Sequence, residues 1–398
     1  MKQFIFSDRF NEIGLGEEEN ALTKIKNQKI KEGTSVLDLI NSNPTSVGLY
    51  FPSNVISHNM DEKTVSDYTP SEKGLFEARL AISDYYNKKG VYVNADDLIL
   101  TSSTSESYSY LFKLLTNPGD EILIPAPGYP LFSFLTQFEN IKSIEYPLEE
   151  SNNGQWNYSL TNLKSSLTSK TKAVILVNPA NPTGSHLSQE EWQEWIHWSS
   201  QTQIPLLVDE VFSPYFLEDE TSYVYPNSIS APIFILNGIS KLLALPQMKL
   251  GWIHVNGDTQ FKKKAISGLE LLADTYLSVN LPIQKILPEL LKWSPIIQNQ
   301  IRNRIKRNLA EARANFAEDK TLTWRNGNAG WYAWLEIKAD RFNSSEEVAE
   351  RLLLEKNIYI HPGDWYGFDA NRLILVLSLI IPEDQFLGGI KELTSFLR

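Results

Sequence analysis

The sequence predicts an α/β chain: a large domain with a mostly parallel sheet flanked by helices, plus a smaller α+β domain built from both termini. Three observations carry this. Between about residues 75 and 285, short apolar runs alternate with stretches long enough for crossover helices, the pattern of a parallel sheet covered on both faces. After Pro295 the period changes to helical, with Ile297, Ile301, Ile305, Leu309, Ala312 and Phe316 along one face. Beyond that helix come two further strand-like segments and a final helical stretch.

In order, the candidate strands are DLILT (97–101), EILIP (121–125), KAVILVN (172–178), PLLVDEV (205–211), IFILNGI (233–239) and KLGWIHV (249–255). The second unit offers WYAWLEIK (331–338) and RLILVLSL (372–379), closed by a helix from Glu383 to Leu397. The first 50 residues show no sheet pattern and are expected to pack on the C-terminal unit. The boundaries that follow are 1–50 and 291–398 for the small domain and 51–290 for the large one.

Composition narrows the chemistry. With 398 residues, 42% of them hydrophobic and 21% charged, the chain can bury a substantial core. A formal net charge of −11 argues against a nucleic-acid surface, which needs a basic stripe. The absence of cysteine excludes disulfides, iron–sulfur clusters and thiol nucleophiles. Five histidines without metal-ligand spacing argue against a metal site. No apolar stretch reaches the length of a membrane span. The start, MKQFIFSDRFNE, carries acidic residues and no small-residue cleavage site, so a cytoplasmic location is the expectation.

In a parallel sheet ligands gather at the carboxyl ends of the strands, and these ends are unusually polar. DLILT runs into SSTSES (102–107) and an apolar helix, where hydroxyls and free amides suit a phosphate, although a simple N-cap would need only one of them. EILIP leads to Tyr129, whose ring can stack on something flat. KAVILVN leads to Asn181, fixed ahead of Pro182. PLLV ends in Asp209, a carboxylate that needs a cation nearby. IFILNGI delivers Lys241, with Lys249 eight residues on; taken alone, both are ordinary solvated flanks of strands.

Together, a phosphate cradle, an aromatic platform, an amide, a carboxylate and an amine fit one ligand, pyridoxal phosphate. The motifs NPTSVG (43–48), YTPSEKG (68–74), LTSSTSE (100–106), PGDEILIPAPGYP (118–130), NPANPTG (178–184), VDEVF (208–212), SK (240–241) with KLGW (249–252), and HPG (361–363) resemble, in this order, the class I/II aminotransferases. These are fold type I pyridoxal-phosphate enzymes, and the likeness covers essentially the whole chain, as a divergent bacterial branch. It implies a seven-stranded large-domain sheet and an exchange of an amino group between an amino acid and a 2-oxo acid. It also implies roles for single residues. Lys241 matches the lysine that holds the cofactor and moves the α-proton, and Asp209 matches the carboxylate on the pyridine nitrogen. Asn181 matches the donor to the ring's phenolic oxygen and Tyr129 the stacking ring. Ser103, Thr104, Ser105, Ser240 and Lys249 lie where the family binds phosphate. Tyr68 matches a tyrosine that reaches the phosphate from a neighbouring subunit, and the segment 275–280 also reaches the partner's site. A homodimer with shared sites is therefore implied.

Four departures from the family pattern bear on the substrate. Lys249 replaces an arginine, exchanging a bidentate fork for a point charge. Phe212 stands where a tyrosine is common and cannot donate to the phenolic oxygen, and Gly238 replaces a serine. Val376-Leu377-Ser378 replaces the arginine-led triplet that forks onto the substrate carboxylate, leaving Arg372, four residues earlier, as the candidate carboxylate ligand. These departures keep open a second reaction on the same fold, β-elimination by a lyase. A non-catalytic sensor is the third reading, against which stand intact Lys241 and Asp209 and the absence of a helix-turn-helix before residue 50.

Overall fold

A strand buried on both faces has no room for polar alternation, and the apolar runs of the sequence form the middle of one sheet for that reason. The structure, a computed structural model, describes residues 7, 9–10, 20–217, 224–226, 230–277, 279–338 and 341–398. Part of the N-terminal unit, and Ser278 in the segment expected to reach a partner, lie outside the described residues. Seven strands make the large sheet: β1 Leu98–Thr101, β2 Glu121–Ala126, β3 Lys142–Pro147, β4 Thr171–Val177, β5 Leu206–Asp209, β6 Ile233–Gly238 and β7 Gly251–Asn256. Their order is β1-β7-β6-β5-β4-β2-β3. Every neighbouring pair is parallel except those of β7, which runs antiparallel to β1 and β6.

The six strands read from the sequence are all present, and β3 is the addition. Its sequence, KSIEYP, is mostly exposed, because it lies at the sheet edge and keeps Lys142 and Glu145 towards water. Alternation along the buried strands divides the core in two. Ile175, Leu207, Phe234 and Leu236 face one helical layer, and Val174, Leu176, Val208 and Ile235 face the other.

The smaller sheet has four antiparallel strands in the order β8-β9-β11-β10: β8 Leu322–Asn326, β9 Tyr332–Ile337, β10 His361–Pro362 and β11 Leu373–Ser378. The helix Ser294–Phe316 buries Ile297, Ile301, Ile305, Leu309, Ala312 and Phe316, the face marked by the sequence period. The N-terminal segment joins this unit through a short parallel pairing of Leu37–Asp38 with Ile358–Tyr359. Leu39 then bonds both sides, its N–H donating to the Tyr359 carbonyl at 2.9 Å and its carbonyl accepting from Ser378 N at 2.8 Å. That clamp fixes the path of Ser42, three residues on. Among the described residues no helix is long and apolar enough to cross a membrane.

Candidate active site

Strand register places the polar strand ends in one row. Asp209, last residue of β5, lies opposite Val177 on β4 and Leu236 on β6, while Gly238 of β6 lies opposite Gly251 of β7, itself opposite Thr101 of β1. Neighbouring strands are about 4.8 Å apart, so these ends converge on a small area. Above them is a cavity of about 250 Å³. Its lining includes Ser103, Thr104, Ser105, Tyr129, Asn181, Asp209, Phe212, Ser240 and Lys241 from the large domain. The small sheet and the N-terminal segment contribute Tyr332 and Ser42.

The phosphate end is a helix start. The helix Thr104–Leu115 is capped by Ser103, whose Oγ accepts from Glu106 N at 3.2 Å, and Glu106 in turn accepts from Ser102 N at 2.6 Å. Thr104 and Ser105 are left with first-turn N–H groups and hydroxyls at the cavity. Gly251 allows this turn to approach: a Cβ there would lie 3.0 Å from the Ser103 carbonyl carbon. Lys249, two residues before that contact, is exposed and adopts a left-handed conformation with φ +52°.

Asp209 is buried, and burial raises its carboxyl from the ordinary range to about 6. Two donors oppose burial: Val211 N at 3.1 Å on Oδ1 and the Tyr108 hydroxyl at 3.1 Å on Oδ2. Burial and the Asp209 charge keep Tyr108 protonated, well above its usual pKa, so it remains a donor. On the next strand end, burial lowers Lys241 to about 8, with the charge of Asp209 acting in the other direction. An amine with a substantial neutral fraction near pH 7 to 8 is suited to nucleophilic attack and proton transfer. The Lys241 ammonium lies 4.9 Å from the Trp331 ring centroid and 3.5 Å from the Ser42 carbonyl oxygen, and the Lys241 carbonyl accepts from the Tyr215 hydroxyl at 2.5 Å.

Asn181 is buried, follows the cis Asn178–Pro179 bond, and precedes a cis bond to Pro182. Its Oδ1 has no partner among the described residues. Burial raises the Tyr332 phenol, and the polar side chains of Ser42 and Asn181 beside it act in the other direction. Phe212 is buried edge-on against Trp331, centroids 5.5 Å apart, and 6.1 Å from the Tyr332 ring. Tyr129 lines the cavity and meets Phe132 edge-to-face with ring centroids 5.6 Å apart.

Three predicted residues are not among those lining the cavity. Tyr68 is 68% exposed, and Lys249 is exposed as well. Arg372 precedes β11 and donates from Nε to Glu336 Oε1 at 2.9 Å and from Nη2 to Glu150 Oε1 at 3.2 Å. Its guanidinium is committed to those two carboxylates, which raise its pKa further. In return the structure adds Ser42, Tyr332, Tyr108, Trp331 and Tyr215, which the sequence alone did not single out.

The donor set fits pyridoxal phosphate on observations of this cavity. A buried carboxylate that burial makes costly would be relieved by a protonated pyridine nitrogen, the Nδ2 of Asn181 at the cavity is a donor suited to the ring's oxygen, and the helix start suits the phosphate. The aminotransferase class I and II family model matches residues 38–375. The chain belongs to the class I and II aminotransferases. It is similar to glutamate-pyruvate aminotransferase AlaA of Haemophilus influenzae, 27% identical over 377 residues covering 92% of each chain. It is also 25% identical over 374 residues to alanine aminotransferase of Mycobacterium tuberculosis, covering 92% of this chain and 86% of the relative. In fold it superposes on alanine aminotransferase from Pyrococcus furiosus with a TM-score of 0.87 at 21% identity, covering 99% of both chains. This aminotransferase is thus a pyridoxal-phosphate-dependent transaminase that exchanges an amino group between an amino acid and a 2-oxo acid. Transamination, rather than elimination or sensing, is the reaction its relatives are named for.

Proposed function

We propose that the chain transfers the amino group between an alanine-sized amino acid and a 2-oxo acid, as a cytoplasmic homodimer, with Lys241 and Asp209 as its catalytic residues. The observation that carries this is the placement of a buried carboxylate and a depressed lysine on adjacent strand ends facing one cavity. When bound, pyridoxal phosphate supplies an electron-withdrawing ring that stabilises negative charge at the substrate's α-carbon. Lys241 holds the cofactor and carries the proton to and from that carbon, and Asp209 keeps the pyridine nitrogen protonated. Asn181 donates to the ring oxygen, Tyr129 stacks on the ring, and Ser103, Thr104, Ser105, Ser240 and Lys249 surround the phosphate. The small amino acid is supported by the names of the relatives above. It is supported too by the lining, in which Lys241 is the only cation among the described residues, so a second carboxylate would meet no charge.

The dimer is supported by Tyr68 and by apolar side chains left at the surface, among them Leu271, Tyr276 and Leu277. The partition into 51–290 and into 1–50 with 291–398 belongs to the same reading, supported by the pairing of Leu37–Asp38 with Ile358–Tyr359. Pyruvate formation from alanine with 2-oxobutanoate, a monocarboxylate, as acceptor tests the reaction, and borohydride trapping followed by peptide mapping tests Lys241. A covalent label on Lys249 instead would refute the assignment. Mixed dimers of Lys241→Ala and Tyr68→Phe chains should regain activity, and failure to do so under subunit exchange refutes shared sites. Cell fractionation tests the location.

A further inference from the structure

Val376 is fully buried, in register between Trp334 on β9 and His361 on β10, and no arginine lines the cavity among the described residues. Arg372 does not supply what Val376 lacks. Tyr332, which does line the cavity, is in register with Ser378, and Arg372 precedes Ser378 by six residues on the same chain segment. At about 3.3 Å per residue that is roughly 20 Å, further than an arginine side chain spans. Its guanidinium is in any case held by Glu336 and Glu150.

A substrate's amino group must reach the place of the Lys241 amine, and its carboxylate, two bonds away, then falls within a few ångströms of that amine. The groups found there are Ser42, whose backbone carbonyl is 3.5 Å from Lys241 Nζ, and Tyr332, whose phenol has the polar side chains of Ser42 and Asn181 beside it. Each of the two hydroxyls carries one proton that it can donate to a carboxylate oxygen. All three side chains line the cavity, and two of them, Asn181 and Tyr332, are buried.

We propose that Ser42 and Tyr332 form a charge-free subsite for the substrate's carboxylate, oriented by Asn181, in place of an arginine fork. This rests on the aminotransferase reading and deepens it. A guanidinium selects a carboxylate by charge as well as geometry, whereas a pair of hydroxyls serves any acceptor oxygen. The substrate class is therefore wider than amino acids: α-amino amides and α-amino esters bind on the same scale.

The test uses the holoenzyme and 2-methylalanine, which has no α-hydrogen and so reports binding without turnover through the absorbance of the bound cofactor. Tyr332→Phe and Ser42→Ala should each raise its half-saturating concentration roughly tenfold, the scale of one hydrogen bond to a charged acceptor. Arg372→Ala should leave it within about twofold. Alaninamide should react within about tenfold of alanine in kcat/KM, while propylamine should be indifferent to Tyr332→Phe. The proposal is overturned if Arg372→Ala weakens binding tenfold, if both hydroxyl variants bind as the parent does, or if alaninamide is rejected about a thousandfold. Should another amino acid outrun alanine, the side-chain reading fails, and the ratio between variants still decides the subsite.

Discussion

The wall of the cavity supplied by the large sheet and the wall supplied by the small sheet hold their polar groups in different ways. On the large-sheet side each group sits at a strand end or helix start, so the backbone ladder fixes it: Asp209 by register with Val177 and Leu236, Lys241 one turn after Gly238, Ser103 as an N-cap. On the small-sheet side Tyr332 and Ser42 are placed by packing, through the clamp at Leu39 and the aromatic contacts of Phe212, Trp331 and Tyr332. The first wall carries the charged groups; the second is neutral and belongs to the sheet in which Val376 replaces the arginine of the family pattern. The charged groups are thus held by the ladder, and the neutral ones by side-chain packing.

The most severe way to break the first wall is Lys241→Ala. Losing both the covalent anchor and the proton carrier should reduce turnover by about 10⁴-fold or more. A purified variant retaining a tenth of the activity would show that another group carries the proton.

Asp209→Asn should cost roughly a hundredfold or more in kcat, as for other preorganised charged groups, yet make the cofactor-free chain more stable. The native chain, with Asp209 raised to about 6, keeps a proton that the unfolded chain releases near 3.8. Stability therefore falls as pH rises through that window, and the loss persists above it. Without an ionisable group at 209 the loss is absent, so the variant should gain about 2 to 3 kcal/mol above pH 6. The two unfolding curves should converge below about pH 4. Equal stability at pH 7 would mean that Asp209 is better solvated than its surroundings indicate.

Tyr108→Phe sharpens the comparison, because it alters the charged wall without touching the cavity lining. Removing a donor to ionised Asp209 should raise the carboxyl's pKa further and cost about 1 to 3 kcal/mol of preference for the charged form. The acid limb of kcat against pH should move upward, with roughly a tenfold loss at pH 6 and less at pH 8. An unmoved limb would separate Tyr108 from the titration of Asp209.

The contrast between walls also explains what could be read beforehand. Strand-end residues announce themselves, since a polar group after a fully apolar run is costly and needs a reason; Asp209 and Asn181 were legible that way, and Lys241 only together with them. The buried strands β4, β5 and β6 were legible by the same apolar runs, whereas edge strand β3 has no such run. Tyr332 stands in WYAWLEIK among other aromatic residues, and nothing local distinguishes the one that faces the cavity from those that fill the core. Ser42 precedes the NPTSVG motif and depends on a pairing over 300 residues away in sequence. Tyr108 reads as one apolar position of a helix, and its bond to Asp209 spans 101 residues.

The smallest effect on catalysis, and the one that bears most on the neutral wall, belongs to Arg372→Ala. In sequence this residue was the only cation near the place of the usual arginine, so it carried the expectation of a carboxylate ligand. In the structure it ties Glu336 of the small sheet to Glu150, which pairs with Trp156 in a separate two-stranded sheet. Its side chain and that of Glu150 are each 24% exposed, so solvent screens the pair, and the loss in stability should be about 1 kcal/mol rather than the several expected of a fully buried ion pair. A urea midpoint lowered at pH 7, and restored when Glu336 and Glu150 are both made neutral in the same chain, identifies repulsion between the two stranded carboxylates as the cause. The kcat/KM for alanine should stay within about twofold, well under 1 kcal/mol. A structural role predicts this division between stability and turnover; a substrate ligand predicts the reverse, because removing it would relieve no strain in the free chain and would cost every carboxylate substrate alike.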